Sequence, residues 1–177
     1  IGLARRYVLL EIYLFESGAV ANRFIEALVR AAARGVSVKV LTDGFGAAKL
    51  LHADRERLTA AGVDLVFYNP VHLRQWLGNM LRDHRKLLIV DGEVAFVSGT
   101  GITDEFDHPK KPARSWRETA LRISGPVLAD WQEDYDGNLR VMLPDTYGSR
   151  GFLERAPDRV KHPTGARIDY GDPIQGG

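Results

Sequence analysis

Alternating apolar and polar positions divide the first seventy residues into three strands and two helices. "YVLLEIYLF" (7–15) is apolar, rich in aromatic and branched residues, and short for a helix, so it predicts a buried strand. In 17–35, Val20, Phe24, Leu28 and Ala31 recur at helical spacing. Ser17 offers a cap there, and Gly35 stands where a helix-terminating glycine belongs. "VSVKVLTD" (36–43) places Val36, Val38 and Val40 on one face of a second strand, and "GFG" (44–46) then turns the chain. Residues 47–61 read as a less regular helix ended by Gly62, and "VDLVFYNP" (63–70) as a third strand stopped at Asn69-Pro70. A strand–helix–strand–helix–strand order implies parallel pairing through right-handed crossovers.

The pattern then changes. Leu73, Leu77 and Leu81 suggest a short helix within 71–83. "KLLIVDG" and "EVAFVSG" are two short strands meeting at Asp91-Gly92, a hairpin signal. Residues 103–115 are polar and hold Pro109 and Pro112; "ETALRIS" (118–124) is a further strand, and 126–140 a final helix with Trp131 and Tyr135 on its inner face. From Pro144 the composition turns to Gly, Pro, Asp and Arg without periodicity. The expectation is one domain over 1–143 and a linker or poorly ordered tail over 144–177.

Composition narrows the functional classes. The 177 residues, 45% hydrophobic and 27% charged, suit one globular core. With no cysteine, disulfides and thiolate chemistry are excluded. Net charge is +1, so any basic site is local and a nucleic-acid partner is disfavoured. No apolar run approaches the roughly 18 residues of a membrane span, so the piece itself reads as soluble. The chain opens on Ile1 almost directly in a strand, which points to a piece of a longer protein, with room for an upstream membrane anchor.

Candidate chemistry concentrates in "DHRKLLIVDGEVAFVSGTG" (83–101). On an extended chain His84 and Lys86 point the same way, and Asp91 points to the other face, better placed to anchor the turn. An imidazole is a nucleophile and proton shuttle near neutral pH, and an adjacent ammonium suits a phosphate oxygen. "SGTG" supplies small residues whose backbone N–H groups can approach an anion, with hydroxyls from Ser98 and Thr100 beside Gly99 and Gly101. Alone, this is equally a strand with a charged start and a tight turn.

The stretch resembles the HxK(x)4D(x)6G motif of the phospholipase D superfamily, with His84, Lys86 and Asp91 at the family spacing. Residues 13–46 and 83–106, followed by "WRETALRISGPVLADWQEDY", are similar in order to the cardiolipin synthase-like branch. The resemblance implies an α/β fold, a phospholipase D-like α-β-α sandwich with a mixed, mainly parallel sheet. It also implies phosphatidyl transfer or phospholipid hydrolysis through a phosphohistidine, without metal or cofactor. His84 is then nucleophile or partner acid, Lys86 the phosphate holder and Asp91 a supporting residue. Glu118 matches the acidic residue that steadies the histidine, where relatives more often have Asp. Glu11, inside an apolar strand, is a second acidic candidate for the cavity. The implied substrate is a phospholipid, with water or an alcohol as acceptor, at a bacterial cytoplasmic membrane. From their residues, the basic loop 108–117 is either a headgroup contact or a solvated loop, and the Trp76 segment 71–81 either a lipid contact or a short core-packing helix.

Two departures stand out. Gly101, seventeen residues after His84, replaces the usual asparagine, and Ser98 replaces the first glycine of the motif. The chain also carries one motif: His52, His72, His108 and His162 lack a lysine two positions on. One histidine cannot be nucleophile and acid in the same step, so a second must come from a homodimer or from a missing C-terminal half. A single-motif dimeric nuclease and a non-catalytic lipid-binding or assembly domain are the competing expectations.

Overall fold

The computed structural model describes residues 1–70, 82–107, 118–142 and 167–170. One sheet runs through it, with strands β1 (Tyr7–Ile12), β2 (Ser37–Asp43), β3 (Asp64–Tyr68), β4 (Lys86–Val90), β5 (Val94–Ser98), β6 (Ala120–Ser124) and β7 (Arg167–Tyr170). Their order is β3-β2-β1-β4-β5-β6-β7. Helices α1 (Ala19–Ala33) and α2 (His52–Ala60) join the first three strands, and α3 (Val127–Met142) follows β6.

The expected α/β sandwich with a mixed sheet is found. Its parallel share is smaller than expected: β1–β2 and β2–β3 are parallel, while the four remaining junctions are antiparallel. The cause is the hairpin. β4 docks antiparallel on β1, and each later strand reverses on its neighbour. Residues 167–170, inside the expected tail, form an edge strand on β6. The expected helix within 71–83 lies largely outside the described residues, as does the basic loop 108–117.

β1 is central and buried along its whole length, which explains its unbroken apolar run. Its alternate side chains feed two cores. Val8, Leu10 and Ile12 pack with Ile25 and Leu28 of α1 and Leu58 of α2. Tyr7 and Leu9 pack with Ile89, Leu128 and Tyr135 on the α3 side. Each fully buried aliphatic side chain stabilises by about 1.5–3 kcal/mol. The buried stripe of α1 is Ala21, Ile25, Leu28 and Ala31, one position along from the expected Val20 and Phe24, which are only partly covered.

Both ends of α1 are instructive. Gly35, at φ 83°, ends it as expected. Ser17 does not cap it. The free amides of Ala19 and Val20 donate to the Asp104 carboxylate at 3.0 and 2.8 Å, from a 3-10 turn (Asp104–Phe106) beyond the hairpin. Gly18 lets that carboxylate approach, since a Cβ there would stand 2.6 Å from it. Ser17 serves α2 instead, accepting from Leu51 N at 2.9 Å and donating to Asp54 at 2.6 Å.

Candidate active site

β4 carries the motif, and its register on β1 decides where each residue lies. Lys86 pairs with Ile12 and Val90 with Val8. Lys86, and His84 just before it, therefore sit where β1 and β2 end, by Ile12 and Thr42. Ligands of open α/β sheets gather outside the carboxyl ends of their parallel strands.

Residues 82–85 approach β4 without regular structure and are held from behind by Asp43, fully buried at the end of β2. Its carboxylate accepts from Phe45 N (2.8 Å), Gly46 N (3.0 Å) and Asp83 N (3.1 Å), and Arg82 lies 3.6 Å away. The turn "GFG" and the entrance to the motif are thus fixed by one side chain, a role the sequence reading did not assign to Asp43.

His84 and Lys86 are adjacent, as alternation predicts. Lys86 Nζ lies 2.9 Å from His84 Nδ1 and also donates to the His84 carbonyl at 2.9 Å. The Tyr13 ring faces the imidazole, with centroids 4.3 Å apart and planes tilted by 43°. Burial pushes the Lys86 ammonium below the usual lysine range, while the charges of Asp83 and Glu118 oppose that shift. Tyr13 has no counterpart among the expected site residues. Its signal was its position one residue past a strand that feeds the carboxyl edge.

Ser98 closes β5, one step beyond the Leu87–Val97 pair and so across from Lys86. Its hydroxyl meets that of Thr100 at 2.7 Å and accepts weakly from Thr100 N at 3.3 Å. Gly99 leaves room for the end of the Glu118 side chain, whose carboxylate would have to shift to admit a Cβ there. Glu118 is exposed, two residues before β6, and its charge reaches Lys86. The neighbour of His84 Nδ1 is the Lys86 ammonium.

Gly101 also has a local explanation. A Cβ there would stand 2.6 Å from Leu14 Cβ. Ile102 N donates to the Leu14 carbonyl at 2.8 Å, and Glu16 N to the Ile102 carbonyl at 2.9 Å, pinning the two segments together. The space an asparagine would use is occupied by Leu14.

Two expected residues lie elsewhere. Asp91 is at the opposite end of β4. Its carboxylate accepts from the backbone amides of Arg5 (2.9 Å), Arg6 (2.8 Å) and Tyr7 (2.9 Å). Burial would raise its pKa, but the three amides and the Arg6 charge together hold it below the usual aspartate range. Asp91 is a fold anchor, in keeping with its side of the strand. Glu11 is fully buried on the α3 side of β1, with Arg85 Nη1 4.0 Å from its Oε2. It stands behind the site and reaches it through Arg85. Of the other histidines, His52 is exposed on α2 beside Glu56; His72, His108 and His162 lie outside the described residues.

Two depressions meet at the motif. One, of about 350 Å³, is lined by His84, Arg85, Lys86, Val97, Ser98 and Trp131. Trp131, read as an inner-face residue of the last helix, thus also borders the site. The other, of about 250 Å³, lies on the α1 side and is largely apolar, with Phe24, Leu88, Phe96 and Phe106 in its wall. Lys86 and Ser98 are common to both.

The family model described as "Cardiolipin synthase, PLD-like domain" matches residues 1–134. The chain belongs to this phospholipase D-like family. Among similar members, the cardiolipin synthase of Geobacillus kaustophilus is 33% identical over 162 residues, covering 90% of this chain and 31% of that protein. Cardiolipin synthase A of Pseudomonas fluorescens is 31% identical over 161 residues, covering 85% of this chain and 33% of its own length. This phospholipase D-like chain therefore spans about a third of the curated relatives it matches. Solved structures give the same fold. Nuc from Salmonella typhimurium, a phospholipase D family member, superposes with a TM-score of 0.55 at 20% identity, covering 78% of this chain and 81% of Nuc. NucT from Helicobacter pylori gives a TM-score of 0.54 at 15% identity, over 78% of this chain and 82% of NucT. Among the described residues, no helix is long and apolar enough to cross a membrane.

Proposed function

We propose that this domain supplies one half of a phosphatidyl-transferring or phospholipid-hydrolysing site. The observation that carries the reading is the His84–Lys86 contact at 2.9 Å, beside Ser98 and at the carboxyl edge of β1 and β2. In the first step an imidazole nitrogen attacks phosphorus. The P–O bond to the leaving alcohol breaks, and that oxygen takes a proton from a second histidine. In the second step water or another alcohol attacks phosphorus, returns a proton to the second histidine, and the P–N bond breaks. His84 fills one of the two histidine roles. Lys86 stabilises charge on the phosphate oxygens, with Ser98, Thr100 and the backbone of Gly99 and Gly101 around it. Glu118 steadies the charged imidazole once Lys86 has moved to the phosphate.

The second histidine comes from another copy of the domain or from another part of a longer chain, which agrees with the coverage of the relatives. The apolar depression next to Lys86 and Ser98 favours a lipid over a nucleic-acid backbone, which is bound through clustered Lys and Arg. Work on a phospholipid places the protein at a membrane surface.

The test is chemical trapping. A radiolabelled phosphatidylglycerol should leave an acid-labile, alkali-stable phosphoryl label on a motif histidine, and His84→Ala should abolish turnover. Turnover of DNA but not of lipid would select the nuclease alternative. Unchanged lipid turnover in His84→Ala would sink the proposal.

A further inference from the structure

We propose that Tyr13 is a positioning residue that locks the His84–Lys86 pair into one resting arrangement. Three contacts meet at its ring and beside it. The imidazole lies 4.3 Å from the ring centroid. Lys86 Nζ lies 5.4 Å from the same centroid, within cation–π range. Lys86 Nζ also lies 2.9 Å from His84 Nδ1. The ring faces a cation and an imidazole that becomes cationic during acid–base work. Its negative π face attracts both, where two bare positive groups would repel each other.

Tyr13 is itself held firmly enough to act as a wall. Its backbone N donates to the Arg85 carbonyl at 3.0 Å, continuing the β1–β4 pairing one residue past the strand. Its carbonyl and ring back onto Gly46, where a Cβ would collide with that carbonyl. The Asp43 carboxylate fixes Gly46 N in turn. A chain of backbone contacts therefore runs from the buried end of β2 to the imidazole.

The arrangement specifies a tautomer. An ammonium only donates, so Nδ1 facing it accepts, and the proton of the neutral ring sits on Nε2. In the resting protein His84 thus presents an N–H, not a lone pair, on the side away from Lys86. An anion that draws Lys86 off Nδ1 releases that constraint.

The test reads the imidazole directly, by ¹⁵N spectra of the full chain at a pH where His84 is neutral. The wild-type protein should show the Nε2–H tautomer, with the His84 ring protons shifted upfield by the facing Tyr13 ring. Tyr13→Phe, which keeps the aromatic face, should preserve the tautomer and turnover within about twofold. Tyr13→Leu should average the two tautomers and lower kcat by about tenfold with little change in KM, since a tenfold loss is a modest misplacement of the pair. Wild-type-like spectra and kcat in Tyr13→Leu would overturn the proposal, as would a Phe variant that fails like the Leu one. The ring-current shift is measured on the unmutated protein, so its absence overturns the proposal even if Tyr13→Leu does not fold. The spectra need no lipid substrate, so they decide this point separately from the phosphatidyl-transfer reading.

Discussion

The two ends of β4 carry parts of one short motif and have opposite characters. At the Lys86 end the polar groups are crowded, partly uncovered and open to two depressions. At the Asp91 end every visible acceptor is committed: the carboxylate to three backbone amides, the carbonyl to Arg6. Asp91 and Gly92 turn the chain with φ of 56° and 68°, and Glu93 N closes the turn on the Val90 carbonyl at 3.0 Å. The difference teaches that residues fixed at a set spacing need not share a task. Four residues of strand, three of them buried, separate the end proposed to handle a substrate from an end that fastens the strand in place.

The largest contrast comes from substituting each end in turn. On the proposed mechanism, His84→Ala should lower activity by about 10³-fold or more, with a melting temperature close to that of the parent. Asp91→Ala should do the reverse. It strips the acceptor from three amides and leaves alanine at positive φ, so stability should fall by about 2–4 kcal/mol, while the protein that remains folded keeps its activity. Denaturant melts and turnover on the same two variants check this, and a catalytic loss in Asp91→Ala at full stability would erase the distinction.

Acid sensitivity belongs to the Asp91 end. A folded-state pKa below the ordinary aspartate value of about 3.9 means that ionised Asp91 favours the fold. That contribution is present above about pH 4 and is lost as pH falls through the lowered native value. Asp91→Asn tolerates the positive φ but cannot ionise, so its stability should decline less steeply over this acid window. Parallel slopes for the two proteins below pH 4 would contradict the assignment.

The smallest effect sharpens the site's rim. Gly101→Asn meets Leu14 at close range and should destabilise by about 1–2 kcal/mol, as overpacking does. Leu14→Ala costs stability alone but should make Gly101→Asn tolerable, giving a favourable coupling in a double-mutant cycle. Strict additivity would mean that Leu14 is not what requires the glycine.

Much of this was legible in the sequence, for reasons that differ by residue. The strands and helices of the first seventy residues follow from local periodicity, and the His84–Lys86 contact follows from alternation along an extended chain. The placement of Asp91 was half-legible: its parity turned it away from His84, while its three amide partners lie more than eighty residues away in sequence. Long-range partners hid the rest. Nothing near Ala19 announces that Asp104 will cap α1, and the place of Tyr13 one residue past β1 points to the carboxyl edge without naming His84 as its partner. The reversal of direction at β4 was invisible for the same reason, since the choice of neighbour is made by the assembled sheet.

The dependence of α1 on Asp104 also bears on how the protein is made. A nascent chain that ends before Lys86 has β1 to β3 and helices α1 and α2 in its sequence. It lacks the strand that flanks β1, the carboxylate that gathers residues 5–7, and the cap that completes α1. During synthesis, β1 is therefore unpaired along one edge until the motif hairpin has emerged, and α1 is without its cap until the turn after it follows.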